Sequence, residues 1–285
     1  MLIFANTFAD IFSIPLLRYA FLVGIIASIA FGIIGSYVVV KRISYIAGAI
    51  SHSILGGIGA ALYCQEKFNW IYFKPLYGAI ISAILAAIII GLTTKKSQQR
   101  SDTVIGAIWA IGMALGVLFF FQLDSGDKTI HTYLFGSILL VNKADLIIVG
   151  VLDSIILAIV LLFYDKFLAI CFDDEFSELR GVRVNVYYLT LLCLVALTIV
   201  LLVQIVGIIM LIALLTLPAA ISCNFTKKLS IMMLISIILC MFFTSGGLFL
   251  SYPLKVPSGP IIILIAGIAY LMVLISKKIY YTLKK

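Results

Sequence analysis

Residues Val38 to Gly59 read VVVKRISYIAGAISHSILGGIG. An apolar run ends, two adjacent cations follow, and a second apolar run begins. That pattern recurs along the whole chain. The 285 residues are 64% hydrophobic and 11% charged, against roughly half apolar and about a quarter charged in ordinary soluble domains. The excess is gathered into runs of about 20 residues separated by short polar loops, as in a polytopic helical membrane protein. Lipid offers no hydrogen bonds, so each segment must satisfy its own backbone, which a helix does. Short alternating segments of the β-barrel kind are missing from the sequence.

Working outward gives nine spans: 18–40, 44–64, 75–93, 103–121, 144–164, 186–203, 207–222, 229–250 and 258–276. The stretch 186–222 counts as two because Gln204 and Gly207 interrupt it; were its second half short or re-entrant, the count would be eight. The chain is therefore expected to be all-α, a transmembrane bundle of eight or nine spans forming a single domain over residues 1–285. Cations sort by side. Lys41, Arg42, Lys95, Lys96, Arg100, Lys166, Arg180, Arg183, Lys227, Lys228, Lys277, Lys278, Lys284 and Lys285 fall in one set of loops. Arg18, Lys67, Lys74, Lys128, Lys143 and Lys255 fall in the other. The positive-inside rule then places the N-terminus outside and the C-terminus in the cytoplasm. It also explains the net charge of +8 as loop charge beside anionic lipid, so no nucleic acid is implied.

The first apolar run lacks a cleavage site of the signal-peptide kind. Five cysteines, none in a CxxC pair, argue for neither a zinc knuckle nor a disulfide scaffold. The segment QEKFNWIYFK, residues 65–74, mixes aromatics with charge and suits the headgroup layer. HTYLFGSILL, residues 131–140, is expected as a short surface helix or a re-entrant piece. Trp109 falls inside the fourth span as a packing residue. Glycines mark the first, second and fourth spans and allow close helix contact.

Two ionisable residues lie within spans. His52 shares a helical face with Gly48, Gly56 and Gly59. An ionisable group at that depth needs a partner or water, so it is read as functional by default, and neutral imidazole suits a borderline transition metal. The alternative is a packing histidine. Asp153 lies mid-span in the fifth helix and either lines a cation path or bonds to a neighbouring helix.

The opening stretch also resembles the early segment of the permeases of ABC importers for zinc, manganese and iron, where a basic pair precedes Ser-Tyr and a later Ser-His. SDTVIGAIWAIG (101–112), HTYLFGSIL (131–139), VGIIMLIALLTLPAAIS (206–222) and KVPSGPIIILIAG (255–267) are similar to further segments of that family, in its order. The resemblance implies a permease subunit in the bacterial cytoplasmic (inner) membrane that moves a divalent metal and holds no stable cofactor. It implies a second permease copy or paralogue, cytoplasmic ATP-binding subunits, and an extracytoplasmic metal-binding protein. ATP hydrolysis belongs to the partner, and no GxxxxGK[ST] loop is present. His52 carries over as a metal-path residue. The family's carboxylate does not: Gly48 stands in its place, and Ser137 replaces another Asp. The charged segment CFDDEFSELRGVR, residues 171–183, corresponds to the family's coupling helix, with Asp173, Asp174, Glu175, Glu178, Arg180 and Gly181 as the coupling residues. Alternatives are a permease for an iron chelate or cobalamin, a secondary metal transporter, and a non-transporting scaffold.

Overall fold

A computed structural model describes residues 13–94, 98–123, 126–136, 141–254 and 256–283. Ser137 and the cations Lys95, Lys96, Lys255, Lys284 and Lys285 lie outside them. Every regular element among the described residues is helical. In chain order they are α1 (Pro15–Val40), α2 (Ser44–Phe68), α3 (Pro75–Thr94), α4 (Gln98–Phe121), α5 (Gly126–Phe135), α6 (Lys143–Leu162), α7 (Tyr164–Phe172), α8 (Asp174–Leu179), α9 (Val184–Val206), α10 (Ile208–Ser222), α11 (Leu229–Leu254) and α12 (Ser258–Leu283).

Local chemistry sets the ends. Proline opens α1 and α3, where its missing N–H costs nothing. Asn142 caps α6: its side-chain oxygen accepts from the N–H groups of Ala144 and Asp145, while the Asp145 carboxylate accepts from Asn142 N–H at 3.0 Å. Asn69, at φ 54°, turns the chain out of α2, and Gly207, at φ 80°, separates α9 from α10. The interruption read at Gln204–Gly207 therefore falls at the glycine.

Among the described residues, seven helices, α1 to α4, α6, α11 and α12, are long and apolar enough to cross a membrane. The two halves of 186–222 form α9, of 23 residues, and the shorter apolar helix α10. With 15 residues, α10 is about 22 Å long at about 1.5 Å per residue, less than the roughly 30 Å hydrocarbon layer.

The chain divides into two compact units. One comprises residues 1–39, 137–157 and 209–285, the other residues 40–136 and 158–208. In the first, α1 lies against α10 and α11. A methyl group on Gly35 would strike the Leu215 carbonyl, and one on Gly32 the backbone of Ile237. Hydroxyls link the same helices: Ser36 donates to Ser236 at 3.3 Å, and Ser236 meets Ser222 at 2.8 Å. Such close approach and polar contact hold helices together where lipid gives no hydrophobic drive. In the second unit α2 is central, packed on α3 and α4, with α9 across α3. Gly57 and Gly78 bring α2 and α3 backbone to backbone, while Gly112 and Gly116 of α4 sit against Ser53 and Leu55.

Candidate metal pathway and coupling segment

The face of α2 carrying Gly48, Gly56 and Gly59 meets α4, through Trp109, Gly112 and Gly116. His52 lies on this seam. Its imidazole stacks on the Trp109 indole with centroids 4.6 Å apart and planes at 18°, and Tyr45 completes the group 5.4 Å from the indole. Nδ1 of His52 is buried and has no hydrogen-bond partner among the described residues. One imidazole face is covered and one nitrogen lone pair is kept free of protein donors. Such a nitrogen can take a borderline divalent metal as a single ligand, weak enough to release it again.

Gly48 has a structural reason. A Cβ there would stand 2.8 Å from Cζ3 of Trp109 and 3.1 Å from Cη2. The volume a carboxylate would need one turn before His52 is filled by the indole. Trp109 is thus the packing residue the sequence suggests, and it packs on the residue most suspected of function.

Asp153 is buried in α6, and among the described residues neither carboxylate oxygen has a hydrogen-bond partner. Asp153 and His52 belong to different units. Among the described residues, no three His, Cys, Asp or Glu side chains are grouped as a metal cluster.

The segment 171–183 is more ordered than a charged loop. The Asp173 side chain accepts from Phe176 N–H at 2.9 Å and caps α8, whose first turn carries Asp174 and Glu175. The helix ends in a Schellman arrangement: Gly181 N–H donates to the Glu178 carbonyl, Val182 N–H donates to the Ser177 carbonyl, and Gly181 has φ 78°. Arg180 lies 5.0 Å over the Phe176 ring. Asp173, Gly181 and Arg180 therefore build the helix, while Glu175 and Glu178 are exposed. Sequence reasoning missed the apolar side chains displayed with them: Phe176 is 53% and Leu179 88% exposed, an i, i+3 pair on one face. The preceding α7, not foreseen as an element, buries Phe167, Ile170 and Cys171. Burial pushes the Cys171 thiol up to about 12, against the opposing pull of Lys41.

Residues 13–277 match the ABC 3 transport family. The chain belongs to that family. It is a multi-pass membrane permease subunit of an ABC transport system, and the hydrolysis of ATP falls to another subunit. The probable metal transport system membrane protein of Chlamydia trachomatis is 44% identical over 266 residues, which cover 93% of this chain and 90% of the relative. The manganese transport system membrane protein MntC of Listeria monocytogenes is 30% identical, over 89% of this chain and 88% of the relative. Among solved structures, a chain of PsaBC from Streptococcus pneumoniae in complex with Fab superposes with a TM-score of 0.83 at 29% identity, covering 94% of each chain.

Proposed function

We propose that this permease imports a divalent transition metal of the manganese, iron or zinc class. The observation that carries the reading is the unpartnered, buried Nδ1 of His52 on the α2–α4 seam. The names of the relatives, which speak of metal and manganese transport, point the same way. In this reading the His52 imidazole is a borderline ligand for the ion, and the Asp153 carboxylate a hard one.

The same reading pairs this chain with a second permease, a copy or a paralogue, and with an extracytoplasmic metal-binding protein that delivers the ion. The short helix α8 docks on the cytoplasmic ATPase through Phe176 and Leu179, with Glu175 and Glu178 at the rim. Sidedness agrees within each unit. Lys41 meets Asp174, and Lys277 donates to Asn224 at 2.9 Å, so loops assigned to the cytoplasm by charge are neighbours. Which side is cytoplasmic follows in this reading from the charge count, which gives an outer N-terminus and a cytoplasmic C-terminus.

The test is uptake of manganese, ferrous iron and zinc by cells whose own importer is replaced by this system. His52→Ala is expected to lower the uptake of the transported ion at limiting metal while the variant still inserts in the membrane. Normal uptake by His52→Ala overturns His52 as a pathway residue. Phe176→Asp with Leu179→Asp is expected to release the ATPase subunit on purification.

A further inference from the structure

Lys41 stands in the turn between α1 and α2, within the second unit. Its ammonium donates to both carboxylate oxygens of Asp174, at 2.7 and 2.6 Å, and to the carbonyl of Ile170 in the last turn of α7. An ammonium has three N–H donors, and three acceptors meet it here. The Tyr188 ring of α9 has its centroid 5.9 Å from the nitrogen. The lysine side chain is 14% exposed and that of Asp174 52%. An ordinary surface ion pair holds little, because both side chains wander in water. This one is anchored at its lysine end, and it joins residues 133 positions apart.

The two ends of the contact lead to different places. Asp174 opens α8, whose exposed Phe176 and Leu179 lie within the next turn and a half. Lys41 precedes Arg42, held at φ 59°, and Ile43, the N-cap residue just before α2; α2 carries His52. We propose that Lys41 is the positioning residue through which displacement of α8 is passed to the start of α2, and so to the α2–α4 seam at His52. The proposal rests on α8 being the segment that docks on the ATPase.

The test uses the assembled transporter in vesicles and reads two quantities together, ATP hydrolysed and manganese moved. Lys41→Met is expected to keep the ATPase bound and hydrolysing while manganese moved per ATP falls several-fold; Asp174→Asn is expected to lower the same ratio. Lys41→Arg, which keeps the charge and multiple donors, is expected to retain most of the ratio. The double variant is expected to be no worse than Lys41→Met alone, since both changes cut one link. A purely structural role for Lys41 lowers hydrolysis and transport in proportion; an unchanged ratio in Lys41→Met overturns the proposal. Phe176→Asp with Leu179→Asp is read in parallel. If that variant keeps the ATPase bound, the docking role of α8 fails and takes the proposal with it. If it loses the ATPase while Lys41→Met keeps the normal ratio, the link alone fails.

Discussion

At the scale of single residues, the contact between Gly48 and Trp109 does most to define the site. Overpacking a fitted interface costs about 1–3 kcal/mol, and a Cβ at residue 48 meets the indole at 2.8 Å. Gly48→Ala is therefore expected to lower the melting temperature of the purified protein, and Trp109→Leu in the same chain to recover part of the loss. The double-mutant cycle measures the coupling; additive effects would show that the two residues do not share the space. Cysteine chemistry offers a second check at this scale. Only the thiolate reacts, and a thiol pushed up to about 12 holds almost none at neutral pH. Cys171 is buried and Cys223 exposed, so a maleimide is expected to label Cys223 readily and Cys171 slowly. Equal labelling would contradict the enclosed position of Cys171 beside Lys41.

At the scale of elements, α8 is a short helix made by its ends. Losing an Asp N-cap costs about 1 kcal/mol, and a side chain in the left-handed region costs about 1–2 kcal/mol. Asp173→Ala and Gly181→Ala are each expected to speed hydrogen exchange in 174–179 by about fivefold or more, since one or two kcal/mol is a factor of roughly 5–30. Unchanged exchange in both would mean that contacts outside the helix hold it. This element also shows what sequence can and cannot give. Asp173 before acidic residues, and Gly181 after them, are local signals, so the helix and its end were legible. The grip of Lys41 on Asp174 was not, because no local pattern pairs residues so far apart; Lys41 entered as a cation in the charge count and as half of the basic pair. Likewise the small-residue face of α2 followed from helical periodicity, whereas its partner, the Trp109 indole, depended on which helix came to lie beside it. The burial of α7 was hidden for a different reason: its nine residues are too few for periodicity to separate a packed helix from a loop.

At the scale of the whole molecule, a long uninterrupted apolar run predicts a helix long and apolar enough to cross, which holds for seven helices among the described residues. They say less about 186–222, where Gly207 divides one apolar stretch into α9 and the short α10. In the function proposed above, the permease draws its energy from a partner ATPase, and α8 and His52 belong to that coupling and to the route it drives. The most direct measurement is manganese uptake by sealed vesicles that contain this chain with its second permease, its ATPase and the metal-delivering protein. Uptake that requires ATP, stops when the ATPase is omitted and falls in His52→Ala is the predicted result. An intact assembly that hydrolyses ATP and moves no manganese, iron or zinc would contradict the account.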